Sequence, residues 1–249
     1  MENKEFSYVY PYSREEAKER KRLDDWKASH KENVACRKAI ESAIMQNFDG
    51  AKLKEGCVDA VIEAFGYHRT AFVLANSIKQ RNDGHISSGN MDWLKTFYIP
   101  TDKDNKANYN LEYAAANEAR ALDAFATQYR RAFQNLGMFD YAHCLPDSSK
   151  QDFEGKVIVL SPKILRDSSL NQQDQLWLCT GGFGAHPDSS GRAVFVTNLG
   201  DGEKTRFNRS DFIGILADSH LPDWAREKLE QLQGQAQTDS PTMGGMTMQ

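Results

Sequence analysis

The hydrophobic pattern changes character along the chain, from helical spacing before Gly137 to short apolar runs after Lys156. Ser13 and Glu16 have the spacing of a capping box, which predicts a helix over residues 14–28. A second helix is predicted over 31–47, with Val34, Ile40 and Ile44 on its buried side and Gly50 beyond its end. Cys57, Val58, Val61, Ile62 and Phe65 mark one face of a helix over 53–65, and Gly66 stands where a terminal glycine belongs. Phe72, Val73, Leu74 and Ile78 lie nearly all round a helix over 69–80, which predicts a buried central element. Asn82, Asp83 and Gly84 predict a turn, residues 91–97 a short helix, and residues 100–110 a polar surface loop. Leu122, Phe125, Ala126, Tyr129 and Phe133 form one stripe on a long helix over 111–136, closed by Gly137.

Beyond Gly137 the period shifts. Residues 138–156, with Pro146, Asp147, Ser148 and Ser149, read as a connection. Runs at 157–160, 175–179, 192–197, 204–207 and 212–216 are rich in strand formers, and Gly200-Asp201-Gly202 is a tight turn. Short strands at this spacing predict a small antiparallel sheet or partly open barrel. Pro222 and Asp223 open a last helix, about 223–232. From Gly234 onward no apolar period survives, and the segment reads as disordered. The expected fold is α+β: a helical domain at 1–137, a connection at 138–156, a β-rich domain with a C-terminal helix at 157–233, and a tail at 234–249.

Composition limits the function classes. A net charge of −4 excludes a uniformly basic nucleic-acid coat and lacks the acidic density of a DNA mimic. The first residues carry no apolar signal region, and no run reaches the ~18 apolar residues of a membrane helix, so a cytoplasmic location without membrane contact is expected. Cys36, Cys57, Cys144 and Cys179 are widely spaced and read as reduced thiols.

Candidate chemistry is sparse. The helix over 14–28 mixes both signs of charge and reads as a solvated face rather than a phosphate-binding stripe. Two helices meeting at Gly66 have the outline of a DNA-reading pair, with His68, Arg69, Asn76, Lys79 and Gln80 as outward candidates. Their apolar middle reads instead as an ordinary hairpin in a core. The loop Gly181-Gly182-Phe183-Gly184-Ala185-His186 matches no phosphate-binding pattern and reads as a hairpin end. The segment from Gly202 to Ser210 places Lys204, Arg206 and Arg209 around Phe207. Cations attract phosphate, and an aromatic ring offers a stacking platform to an unpaired base. Arg192 and Trp177 join these four as candidate nucleic-acid or partner contacts, and Phe183 and Phe195 could extend the platform. The competing reading places Phe207 and Trp177 in the core, with the arginines paired to Asp201, Glu203 and Asp211. His143-Cys144 and Cys179 with His186 are the cysteine–histidine combinations, and neither has metal-ligand or nucleophile spacing. No metal, cofactor or catalytic residue is therefore assigned. A nuclease would need Asp201, Glu203, His186 and Asp211 to converge.

Several stretches resemble a known family. They are Tyr10-Pro-Tyr-Ser13, Ser29-His-Lys-Glu-Asn-Val-Ala-Cys36, Phe48-Asp-Gly50, Phe65-Gly-Tyr67, Phe72-Val-Leu-Ala-Asn76, and Asp83-Gly-His-Ile-Ser87 ahead of Trp93. Together they resemble the domain of unknown function 3849 family over about residues 8–131. The second half, with Gly181-Gly-Phe-Gly184 and Gly200-Asp-Gly-Glu-Lys-Thr-Arg206, is similar to a segment that accompanies that domain. The resemblance implies cargo of conjugative and other mobile elements of gut Gram-positive bacteria, and it carries no catalytic residue. The function expected is that of a non-enzymatic accessory protein of a mobile genetic element. It would bind nucleic acid or a nucleoprotein such as a host-defence complex, in the anti-CRISPR or antirestriction manner. The alternatives are a nuclease acting on guide RNA or DNA, and a protein–protein adaptor. The identity of the partner and the oligomeric state are not written in the sequence.

Overall fold

Ser13 caps its helix as the spacing predicts. Its hydroxyl accepts from the Glu16 amide at 3.2 Å, and the Glu16 carboxylate accepts from the Ser13 amide at 3.3 Å. The structure is a computed structural model describing residues 8–81, 84–101 and 111–238, and it divides into two units, Met1–Asn135 and Leu136–Gln249.

In the first unit the capped helix is short. α1 spans Arg14–Glu19 and stops before Lys21, which takes φ +56°. α2 then runs unbroken over Leu23–Asn47, joining what the pattern divides between two predicted helices. Ser29, at the expected break, and Asn33, just beyond it, are buried inside α2 instead. Ser29 Oγ accepts from the Tyr10 amide at 3.0 Å, and the buried Arg69 donates to Ser29 O at 3.0 Å and to Asn33 Oδ1. Burial without loss follows because each polar group finds a partner.

α3 spans Asp59–Lys79 and unites two further predicted helices across a kink at Gly66 (φ +77°, ψ 167°), a conformation essentially restricted to glycine. Its second half, Thr70 to Ile78, is buried on all sides, as the pattern predicts. Arg69 and Asn76, outward candidates in the sequence, are both buried; Asn76 Nδ2 donates to Phe72 O at 2.8 Å. The reading of this helix as a DNA reader therefore loses its key polar contacts. α4 spans Ser88–Leu94 and α5 Ala119–Gln134, preceded by a 3₁₀ turn at Leu111–Tyr113 that takes the start of the longer predicted helix. Ile40, Ile44, Leu74, Leu122 and Phe125 form the fully enclosed centre.

The second unit is built on one antiparallel sheet of β1 (Val157–Leu160), β2 (Leu176–Gly181), β3 (Ala193–Asn198), β4 (Lys204–Asn208) and β5 (Phe212–Ile215), in the order β4-β3-β2-β1-β5. The sheet is open, which selects the sheet over the barrel and gives the α+β class. Side chains alternate between faces. One face carries Ile158, Trp177, Cys179, Val194 and Val196, packed with Phe153 and Phe212. The other carries Val157, Val159 and Leu176, and is covered by Phe139 and by Ala225, Trp224 and Leu229. The last three belong to α7 (Asp223–Thr238); a four-residue α6 (Gln172–Gln175) leads into β2. α7 continues through residues 234–238, which the sequence assigns to the tail. Residues 239–249 of the predicted tail, 102–110 of the predicted loop, and Asn82-Asp83 of the predicted turn lie outside the described residues. No helix among the described residues is long and apolar enough to cross a membrane.

Candidate functional site

On the second face Thr197 of β3 is buried, whereas Phe195 of β3 and Lys204 and Arg206 of β4 are exposed. Phe195 on β3 stands directly opposite Arg206 on β4, and Thr197 stands opposite Lys204. Facing residues of an antiparallel pair share a face, so Phe195, Arg206 and Lys204 point the same way. All three are exposed, Phe195 at 49%. Among the described residues Lys204 and Arg206 make no ion pair, so the predicted pairing of Arg206 with Asp201, Glu203 or Asp211 does not form.

The glycine loop carries a second exposed ring, Phe183. A Cβ on Gly182 would lie 2.5 Å from Ala193 O and 3.1 Å from Phe195 Cδ2, and one on Gly184 would lie 2.2 Å from Arg192 O. Only glycines let the loop lie flat on the start of β3. Phe183, between them, is 76% exposed and is backed by Gly191, where a Cβ would meet the Phe183 Cβ at 2.3 Å. The loop thus leaves Phe183 exposed, next to Gly182, which packs against Phe195.

The other sequence candidates sit elsewhere. Phe207 turns to the packed face, edge-on to Trp177 at 5.1 Å and to Phe212 at 5.8 Å. Trp177 is buried, and its indole donates to Asp174 O at 2.8 Å. Arg209 donates to Gly184 O at 2.9 Å, Ala185 O at 2.6 Å and Gln151 O at 2.5 Å. Burial lowers the Arg209 pKa from its ordinary value. Arg192 is exposed just before β3, and its carbonyl accepts from the Arg209 amide at 2.9 Å.

One cluster escapes the sequence reading. Asp152, Glu154 and His186 offer ligand atoms that lie within 4.8 Å of one another. His186 Nδ1 is 2.6 Å from Asp152 Oδ2, and Nε2 is 3.7 Å from Glu154 Oε2, so each ring nitrogen faces a carboxylate. The Glu154 amide, donating to Asp152 at 2.8 Å, holds that carboxyl below its usual range, and His186 adds to the effect. These three residues could hold a divalent cation. Nearby, burial raises the Cys179 thiol pKa, and the Glu154 and Asp152 charges add to it.

The four residues a nuclease would need do not converge. Asp201 Oδ1 accepts from the Glu203 amide at 2.8 Å within the β3–β4 turn, and Asp211 Oδ2 accepts from the Asn208 amide at 2.9 Å beyond β4. His186 pairs with Asp152 and Glu154 instead. His143 Nδ1 bonds Asp140 Oδ1 at 2.7 Å, while Cys144 Sγ points to Asp140 O.

A family model described as a protein of unknown function (DUF3849) matches residues 9–134. No curated protein and no solved structure matches the chain.

Proposed function

The chain belongs to the DUF3849 family, whose description assigns no activity, and we propose that it is a non-enzymatic protein that binds single-stranded nucleic acid through the open face of β3 and β4. The observation that carries this reading is the exposed Phe195 facing Arg206 across the ladder, with Lys204 on the same strand and the exposed Phe183 on the adjoining glycine loop. Every base has a flat face to stack on a ring, and cations beside the ring attract the phosphates. The contacts proposed are therefore Phe195, Phe183, Lys204 and Arg206, with Arg192 at the margin. Phe207, Trp177 and Arg209 support the strand that presents them.

The resemblance noted in the sequence supports a setting in a mobile genetic element and the cytoplasm. There a host-defence nucleoprotein, met in the anti-CRISPR or antirestriction manner, would expose single-stranded guide or target.

The test is titration of labelled single-stranded RNA and DNA at low and moderate salt. Replacing Lys204 and Arg206 by Ala is expected to weaken binding and to lower the logarithmic salt slope by about 0.7 for each lost phosphate contact. No binding by the natural protein at low salt, or unchanged binding by the variant, would overturn the reading.

A further inference from the structure

Asp152, Glu154 and His186 come from separate stretches of chain, the first two ahead of β1 and the third after the glycine loop, yet their ligand atoms lie within 4.8 Å of one another. Backbone brings them there. Phe153 is buried while Asp152 and Glu154 on either side of it are exposed, so the two carboxylates stand out on one side. The Phe153 amide donates to Ala185 O at 3.0 Å, one residue before His186, and the Gly155 amide donates to Cys179 O at 2.9 Å. These bonds hold the two stretches together without help from the three side chains, so the donor set stands on a fixed frame.

The charges there are unbalanced. His186 Nδ1 is 2.6 Å from Asp152 Oδ2, but Nε2 is 3.7 Å from Glu154 Oε2, beyond hydrogen-bond range. An imidazole carries at most a single charge against two carboxylates. Arg209, the neighbouring cation, bonds the carbonyls of Gln151, Gly184 and Ala185. A dication would balance both carboxylates and take the imidazole as a neutral ligand. Ligand atoms around a tetrahedral zinc ion stand about 3.4 Å apart, so the set closes on an ion with shifts of about an ångström. Side chains that are about half exposed, as these are, can make them.

The donors also choose the ion. One imidazole nitrogen with two carboxylates suits zinc and its first-row neighbours. Calcium takes about six to eight oxygens and magnesium a near-ideal octahedron, and three side chains of this kind supply neither.

We infer that Asp152, Glu154 and His186 form a zinc site that clips the segment before β1 to the glycine loop. Three protein ligands leave a fourth position for water. The site shares no residue with the proposed nucleic-acid contacts and stands or falls without them.

Calorimetric titration of the full chain, freed of metal by chelation and dialysis, with Zn²⁺, Mg²⁺ and Ca²⁺ in separate arms tests the inference. One equivalent of Zn²⁺ is expected to bind, at least about ten-fold more tightly than either other ion. His186→Ala and Glu154→Gln are each expected to weaken Zn²⁺ binding by about ten-fold or more. Both side chains are exposed, and circular dichroism checks that the variants stay folded. His143→Ala removes the other histidine paired with an aspartate, Asp140, and is expected to leave Zn²⁺ binding unchanged. Saturating Zn²⁺ is expected to raise the melting temperature of the natural chain by about 5 °C and to leave that of His186→Ala in place. The inference is overturned if no Zn²⁺ binds at about 100 µM, if His186→Ala and Glu154→Gln bind it as well as the natural chain, or if Mg²⁺ binds as tightly as Zn²⁺.

Discussion

The guanidinium carbon of Arg209 lies 3.8 Å from the centre of the Phe153 ring, and the same group bonds the carbonyls of Gln151, Gly184 and Ala185. One side chain therefore ties the segment before β1 to the glycine loop, and with it the carboxylates at 152 and 154 to His186.

Arg209→Ala should lower the unfolding free energy by about 2–4 kcal/mol, because several carbonyls and a ring face lose a charged partner together. Arg209→Lys should recover less than half of that, since an ammonium cannot span the same fork. Chemical denaturation measures both. A loss under about 0.5 kcal/mol would place Arg209 among ordinary surface residues.

Phe207 and Phe195 should behave oppositely, although Val194, the partner of Phe207 across the ladder, is the immediate neighbour of Phe195. Phe207→Ala removes a ring packed on Trp177 and Phe212 and should cost about 2–4 kcal/mol of stability. Phe195→Ala should cost under about 1 kcal/mol of stability. It should also remove about 1–3 kcal/mol of single-strand binding. Thermal melts paired with nucleic-acid titrations separate the two effects.

Gly66→Ala should cost about 1–3 kcal/mol, because no L side chain tolerates φ +77° with ψ 167° cheaply. The kink also positions Tyr67 O to accept from the Tyr129 hydroxyl at 2.9 Å. A melting temperature that stays put would mean that the helix straightens without loss.

Stability should fall in alkali. Burial pushes the Cys36 thiol up from 9.0 to about 12, and burial likewise raises Tyr113 from 10.0 to about 12. The unfolded chain ionises these groups first, so above its pKa it binds fewer protons than the native state. The stability they contribute is complete below about pH 9 and is lost as pH rises towards 12, by up to ~1.4 kcal/mol per pH unit for each group. Unfolding followed from pH 8 to 11 should show the decline, and Cys36→Ser should make it shallower.

Much of this architecture is legible in local pattern. Ser13 and Glu16 announce their cap, and the apolar girdle from Phe72 to Ile78 announces a buried helix. What stays hidden depends on partners far along the chain. Ser29 looks like a helix boundary until Arg69, 40 residues away, is seen to satisfy its carbonyl. Arg69 itself looks like a surface cation for the same reason. On β4 the alternation of Lys204, Thr205, Arg206 and Phe207 separates the faces, but only the register with β3 shows that Phe195 faces Arg206. The Asp152–His186 contact spans 34 positions, and no spacing rule reaches that far. Residues 234–238 lack an apolar period, yet α7 continues through them on Gln and Ala, both good helix formers.

The strand order leaves β4 with a single neighbour, whereas β1, β2 and β3 each have two. Peeling β4 away breaks one ladder and leaves the rest of the sheet paired, so this strand should open locally at lower free energy than any central strand. Lys204 and Arg206 ride on it. A ligand that spans Phe195 and Arg206 would bridge a ladder that can come undone alone. Occupancy of the open face would then appear first as slowed amide exchange along β4, before any change of shape elsewhere in the sheet.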